Sequence, residues 1–283
     1  SALALMEAPE IVRKAHQNFA EAGCDILTTS NYAVVPFHLG EERFAARGAH
    51  LTAVAGQIAR EVAEKSHCKV AGSLPPLFGS YRPDLFIAER APKFLNILIE
   101  ALNPYVDFWL AETVSSVSEA HAMAEPLAHD DRPLWISYTL LDGQDTQEDE
   151  PRLRSGQSVK LAVRSAIELK AAAILFNCSQ PEVMSTAIDA AIHELRLHKV
   201  SLPVGVYANA FPPQQSNALA NSDLHQTRID LDPQNYLDFA VEWCRRGATI
   251  IGGCCGIGPD HIAALRERMQ TRFSTDTSVT YRS

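Results

Sequence analysis

The sequence has no uninterrupted apolar run of the roughly eighteen residues that a membrane-spanning helix needs. Its start, SALALMEAPE, also lacks the basic region and apolar run of a secretory signal. Basic residues are in deficit, with 25 Lys and Arg against 34 Asp and Glu and a formal net charge of −9. That balance argues against nucleic acid or an anionic membrane as a partner. We therefore expect a cytoplasmic protein whose partners are small molecules.

Cysteine is scarce as well, with six residues in a chain of 283. So few cysteines at such irregular spacing do not form the framework of a small disulfide-stabilised protein. In a reducing compartment, a cluster of cysteines more often binds a metal or takes part in chemistry.

Short apolar runs alternate with helical patterns along the whole chain. The first helix is predicted from Ala8 to Gly23, with Pro9 in its first turn. Seven buried strands are predicted in DILTTSNY, KVAGSLPP, VDFWLAET, LWISYTL, AAILFNCS, LPVGVYAN and ATIIGGCC. Strict alternation of strand and helix favours a parallel sheet with right-handed crossovers.

A closed (β/α)₈ TIM barrel needs one strand more than these seven. Every element falls into place if the first strand of the barrel precedes Ser1, so we expect residues 1–283 to lack it. An open doubly wound sheet is the alternative. It is disfavoured because no G-x-G-x-x-G follows the first strand.

Polar side chains gather at the carboxyl ends of the strands, where the active sites of parallel barrels lie. Three of them are cysteines, namely Cys178, Cys254 and Cys255. Three thiolates suit zinc, which takes sulfur ligands in tetrahedral geometry and leaves a fourth position for substrate. Glycines on both sides of the Cys254–Cys255 pair allow the sharp turn that two adjacent ligands require.

Other readings of these cysteines stay open at this point. A cysteine at a strand end is often a small buried hydrophobic residue. The adjacent pair could also form a vicinal disulfide, and a glycine-rich turn before a helix could hold a phosphate. Cys24, Cys68 and Cys244 have no such neighbours and are interpreted as structural.

Glu112 ends the otherwise apolar strand VDFWLAET, where a carboxylate is costly unless it meets a cation. The ammonium group of a substrate would serve, and so would a buried Arg or Lys. His261, in the first turn of the last helix, is interpreted as structural.

The segments FNCS and IIGGCCGIGPDHI resemble the homocysteine S-methyltransferase family, and AGCDILTTSNY, AGSLPP, DFWLAET, VYAN and HIAALR follow in the family's order. The resemblance implies one homocysteine-binding barrel domain over residues 1–283. It implies a zinc ion held by Cys178, Cys254 and Cys255, with Glu112 on the amino group of homocysteine. Thr29, Tyr32 and Asn209 are the remaining substrate-binding candidates.

The activity implied is transfer of a methyl group to the homocysteine thiol, which gives methionine. A sulfonium such as S-methylmethionine or S-adenosylmethionine is the expected donor, because transfer neutralises its charge and releases a thioether. The strand-end aromatics Tyr32, Phe37 and Tyr138 are expected to tolerate such a cation. A non-catalytic zinc-binding or thiol-binding barrel, as a degenerate relative, is the alternative.

Overall fold

Seven strands form one parallel sheet in the computed structural model, which describes residues 2–142, 150–212 and 227–276, without side chains for 271–276. The strands are β1 Ile26–Thr28, β2 Lys69–Leu74, β3 Phe108–Val114, β4 Leu134–Tyr138, β5 Ala173–Asn177, β6 Val204–Tyr207 and β7 Ile250–Ile251. Each strand pairs with the next one along the chain. A doubly wound sheet would reverse direction at a switch point, so the sequential order confirms the barrel-type architecture.

Helices separate the strands. They are α1 Ala2–Glu7, α2 Pro9–Glu21, α3 Pro36–Leu39, α4 Glu41–Ser66, α5 Ala91–Leu102, α6 Val117–Ala124, α7 Val159–Glu168, α8 Pro181–Leu197, α9 Pro233–Arg246 and α10 Pro259–Asp276. Their ends follow local chemistry. The Asp232 side chain accepts a hydrogen bond from the Asn235 amide at the start of α9, and Gly247 ends that helix with φ at 111°.

The curled sheet is a half-barrel, since among the described residues β1 and β7 do not pair with each other. An ion pair spans the two edges at the level of the helices. Arg266 of α10 lies 2.9 Å from Asp25, which directly precedes β1. The strand expected before Ser1 lies outside the described residues.

Side chains alternate between the two faces of the sheet, as strand geometry requires. The outer face packs against the helices through large buried residues such as Trp109, Ile136 and Phe176. Burial of each such side chain contributes about 1.5–3 kcal/mol. A smaller apolar cluster of Ala71, Phe108, Leu110, Ile26 and Trp135 fills the inner face.

The next inward positions toward the carboxyl ends are polar. They are Ser73, Glu112, Ser137, Asn177 and Tyr207. The apolar inner cluster therefore supports a polar layer, and this layer forms the floor of the mouth. No helix in the described part of the chain is both long and apolar enough to cross a bilayer.

Candidate active site at the carboxyl ends of the strands

Cys178, Cys254 and Cys255 converge at the mouth. Cys178 directly follows β5, and Cys254 and Cys255 follow β7, two strands away. The three sulfur atoms all lie within 4.8 Å of one another. Cys178 is buried, whereas Cys255 is exposed at the rim.

The turn that carries Cys254 and Cys255 is held by backbone hydrogen bonds. The Cys254 amide donates to the Ala208 carbonyl (2.8 Å), and the Ala210 amide donates to the Cys255 carbonyl (2.8 Å). Gly253 has no room for a side chain, because a Cβ there would collide with Ile257. Gly256 adopts a φ of 81°, which favours glycine. The glycines around the pair thus provide the sharp turn predicted for them.

The sulfur arrangement fits a tetrahedral metal. Zinc–sulfur bonds of about 2.3 Å place two ligand sulfurs roughly 3.8 Å apart. The sulfurs of Cys254 and Cys255 are 4.0 Å apart. Cys178 and Cys254 are closer and form a disulfide, with their Cα atoms 5.7 Å apart, while Cys255 is a free thiol. The alternative of a vicinal Cys254–Cys255 disulfide is therefore wrong, because Cys254 pairs across the mouth.

Glu112 is half-buried at the end of β3, and its carboxylate accepts a hydrogen bond of 2.7 Å from the Ser73 hydroxyl. Burial raises the pKa of Glu112, and the bond from Ser73 opposes that rise. Within the described residues no Arg, Lys or His forms an ion pair with it. The described residues therefore do not support the alternative in which Glu112 forms a buried salt bridge with an Arg or Lys.

Thr29 braces the residues beside Glu112. Its hydroxyl donates to Asn31 Oδ1 (2.6 Å) and accepts from the Ser73 amide (2.9 Å). Asn31 Nδ2 in turn donates to the Ser73 carbonyl (3.0 Å). Both the proton and an acceptor site of the Thr29 hydroxyl are used in these bonds. The bond to the Ser73 amide positions Ser73, whose hydroxyl orients Glu112.

Tyr32 and Asn209, the other two substrate-binding candidates, also lie at the mouth. The Tyr32 hydroxyl is 2.6 Å from Ser80 Oγ, and its pKa is raised first by burial and further by the charge of Glu112. Asn209 is buried, and its Oδ1 accepts from the Phe211 amide at 3.4 Å. Tyr32 is therefore close to Glu112, whereas Asn209 orders its own loop.

Tyr81 is a mouth residue that the strand-end reasoning missed, because it lies in the loop after β2. Burial raises its pKa first, and the charge of Cys255 raises it further, so the phenol is near that thiol. Arg154 stacks on the Tyr81 ring at 5.0 Å and pairs with Asp142 at 2.9 Å, with both charged side chains almost fully buried. The positive φ of Tyr81, 63°, is the kind of strain that clusters at functional sites.

Two more residues at the mouth have left-handed backbone conformations. Thr113 has a φ of 58° and Cys178 a φ of 48°. Such conformations cost about 1–3 kcal/mol each and persist only where neighbours enforce them. Here Asn177 Nδ2 donates to Thr113 Oγ1 (2.8 Å), and Asn177 Oδ1 accepts from Ser137 (2.8 Å). The buried Asn177 thus ties the ends of β3, β4 and β5 together.

Tyr138 does not face the mouth, contrary to the expectation that it would tolerate a donor cation. Its side chain is fully buried on the outer face of the sheet, and its hydroxyl donates to the Ala162 carbonyl of α7 at 3.5 Å.

His261 connects two segments of the chain, in agreement with the structural role predicted for it. Its Nδ1 accepts from the Gly258 amide (3.2 Å), and its Nε2 lies 3.0 Å from the Leu231 carbonyl.

Glu119, near the site, is predicted to make the stability of the protein depend on pH. Its carboxylate accepts from the Ser115 amide (2.8 Å), and its own amide donates to Ser116 Oγ (3.2 Å), so both bonds cap the start of α6. Burial raises its pKa from 4.5 to about 7. The folded state therefore holds this proton more tightly than the unfolded state, so this residue's contribution to stability falls as the pH rises from about 4.5 to about 7.

We expect Glu119→Gln, which stays neutral and can still accept from Ser115, to be more stable than the parent protein at pH 8. The gain should be about 1–3 kcal/mol in the free energy of unfolding and should shrink at pH 5. Urea unfolding at both pH values measures it. Glu125→Gln, at an exposed glutamate nearby, is the control. An identical stability difference at pH 5 and pH 8 would contradict the prediction.

Comparison with known proteins agrees with this geometry. The chain is 29% identical to the homocysteine S-methyltransferase of Escherichia coli (strain K12), over 95% of this chain and 87% of that protein. It is 28% identical to betaine–homocysteine S-methyltransferase 1 of Pongo abelii, over 94% of this chain and 66% of the relative.

Solved structures give the same result. The metallated form of the homocysteine methyltransferase of Escherichia coli superposes with a TM-score of 0.72 at 26% identity, covering 95% of this chain and 89% of that one. The oxidised form of the same enzyme gives a TM-score of 0.73 with the same identity and coverage. The family model described as homocysteine S-methyltransferase matches residues 1–269. With that match over nearly its whole length, the chain belongs to the homocysteine S-methyltransferase family.

Proposed function

We propose that residues 1–283 form one homocysteine-binding domain that transfers a methyl group from a sulfonium donor to the thiol of homocysteine, with a zinc ion held by Cys178, Cys254 and Cys255. The observation that supports the proposal most directly is that the three cysteines and Glu112 lie at the same mouth. Three sulfurs within 4.8 Å of one another share the mouth with a carboxylate that has no cationic partner among the described residues.

The donor set supports zinc as the metal. Soft thiolate ligands in tetrahedral geometry favour it over magnesium, calcium or manganese, which prefer oxygen. When bound, zinc keeps a coordinated thiol in its thiolate form at neutral pH. The disulfide between Cys178 and Cys254 withholds two of the three sulfurs, so the protein must be reduced before it can take the metal.

Glu112 is the residue proposed to bind the ammonium group of homocysteine. A charge-assisted hydrogen bond to that ammonium would replace the missing protein cation and offset the cost of a half-buried carboxylate. Ser73 fixes the carboxylate through its hydroxyl. Thr29 acts on this contact through Ser73 and is therefore assigned a positioning role.

The methyl donor is proposed to approach past Tyr81 and Tyr32. A cleft of about 700 Å³ is lined in part by Tyr81, Ser116 and Arg154. Aromatic rings attract a sulfonium through their negative faces. In the transfer, the bond from methyl to sulfonium breaks as the bond from methyl to thiolate forms. The thiol proton has gone to solvent, and S-methylmethionine and homocysteine leave as two molecules of methionine.

A donor comparison tests the proposed function. Reduced, zinc-loaded protein is incubated with homocysteine and a trideuteromethyl-labelled donor, and labelled methionine is measured by mass spectrometry. S-methylmethionine and S-adenosylmethionine are compared with betaine, whose methyl group leaves an amine. We expect labelled methionine from at least one sulfonium. Transfer from betaine alone would overturn the sulfonium assignment, and no transfer from any donor would favour a non-catalytic barrel.

A further inference from the structure

Tyr207 is a residue of the mouth that has so far been given no role. It is the last residue of β6, and it pairs in register with Asn177 of β5, so both side chains belong to the inward polar layer. The amide of Cys178 donates to its carbonyl at 3.4 Å. Tyr207 is therefore part of the floor of the mouth and lies beside Cys178.

The Tyr207 hydroxyl is buried and has no partner within hydrogen-bond geometry among the described residues, although Ser137 lies close enough to lower its pKa. Its neighbours in the layer bond to one another instead. The Ser137 hydroxyl donates to Asn177, which donates to Thr113. Tyr32, by contrast, bonds to Ser80. A buried hydroxyl without a partner costs free energy that a bound ligand can recover.

The charges around this hydroxyl indicate which ligand group it would meet. A phenol is a hydrogen-bond donor at neutral pH. Burial, and then the charge of Glu112, raise the pKa of Tyr207, and the nearby Ser137 hydroxyl opposes the rise. A donor suits an anionic group. Homocysteine carries its carboxylate on the same carbon as its ammonium, so an ammonium on Glu112 places the carboxylate nearby. Arg154, the arginine beside the mouth, already pairs with Asp142.

We propose that the Tyr207 hydroxyl donates a hydrogen bond to the carboxylate of the amino-acid thiol whose ammonium lies on Glu112. This inference rests on the proposed function, because it places the same substrate in the same mouth. Glu112 would then bind the ammonium and Tyr207 the carboxylate of the substrate. Together they would select amino-acid thiols over thiols that lack one of these groups.

Thiols that lack either the ammonium or the carboxylate of homocysteine test the roles of Glu112 and Tyr207. Binding to reduced, zinc-loaded protein is measured by calorimetry for homocysteine, for 4-mercaptobutanoate, which has no ammonium, and for 3-aminopropane-1-thiol, which has no carboxylate. We expect Tyr207→Phe to weaken homocysteine and 4-mercaptobutanoate about tenfold or more and to leave 3-aminopropane-1-thiol unchanged. Glu112→Gln should weaken homocysteine and 3-aminopropane-1-thiol instead.

Tyr138→Phe is the matched control, because it removes a buried phenol from the outer face of the sheet. Its thiol affinities and metal content should equal those of the parent protein. Metal content of Tyr207→Phe is measured by mass spectrometry, since lost zinc would indicate a structural role. Equal weakening of all three thiols, or of none, would also overturn the role of Tyr207.

The parent protein alone provides a second measurement that does not depend on the variant folding. It should bind homocysteine at least tenfold more tightly than 3-aminopropane-1-thiol. Equal affinities would show that the carboxylate is not recognised and would overturn this inference while leaving methyl transfer intact. Failure of zinc-loaded parent protein to bind any of the three thiols would overturn the proposed function together with it.

Discussion

Cys255→Ser is expected to abolish zinc binding and to lower methyl transfer to homocysteine by about a thousandfold or more, which corresponds to roughly 4 kcal/mol in the barrier. Serine keeps the size of the side chain but replaces the thiolate with a hydroxyl that stays protonated at neutral pH. Cys255 is exposed at the rim and is a free thiol in the oxidised cluster, so its replacement leaves the packing and the Cys178–Cys254 bond intact.

The measurement is zinc content per chain by mass spectrometry, on protein purified under reducing conditions, followed by the labelled-methyl assay. Cys244→Ser is the matched control, because Cys244 is also outside any disulfide but lies in the last turn of α9. It should retain one zinc per chain and full activity. If Cys255→Ser kept both zinc and activity, the three-cysteine metal site would be refuted.

Glu112→Gln is expected to lower kcat/KM for homocysteine by about a hundredfold or more, because the substrate ammonium loses its charged partner. Glutamine has the shape of glutamate and can still accept from Ser73, so the mouth should stay ordered. The loss should appear mainly as a higher KM for homocysteine, with the KM of the methyl donor and the zinc content unchanged.

Steady-state kinetics with each substrate varied in turn make this measurement. Glu100→Gln is the control, since it removes an exposed carboxylate of α5 and should leave all constants at the values of the parent protein. An unchanged KM for homocysteine in Glu112→Gln would mean that the ammonium binds elsewhere. The assignment of Glu112 to the substrate ammonium would then be wrong.

The strands could be predicted from local sequence because each one is a short apolar run bounded by turn residues. Six of the seven predicted runs contain a strand of the observed sheet, and β3 extends one residue past the end of its run, to Val114. The placement of Cys178, Cys254 and Cys255 at one mouth followed from the same reasoning, since parallel strands in sequential order bring their carboxyl ends together. Their spacing within 4.8 Å is a tertiary result that agrees with it.

Side-chain direction at the strand ends could not be predicted in the same way. Tyr138 and Tyr207 both end apolar strands, yet Tyr138 packs against α7 and Tyr207 faces the mouth. Side chains alternate between the two faces of a sheet, so the pairing register of each strand decides which way its last residue faces. The predicted sixth strand ran to Asn209, whereas β6 ends at Tyr207, so the search for polar groups at strand ends considered Asn209 and overlooked Tyr207.

By itself, the sequence determined the alternation of strands and helices, the position of the glycine-rich turn, and the residue types that reach the mouth. These features depend on neighbouring residues, through apolar periodicity and backbone freedom. Only the tertiary structure decided that Cys254 pairs with Cys178, that the Thr29 hydroxyl accepts from the Ser73 amide, and that Tyr81 lies near enough to Cys255 for their charges to interact. The physical reason is that such contacts join residues 44 to 174 positions apart, and strand register and sheet curl set their distances.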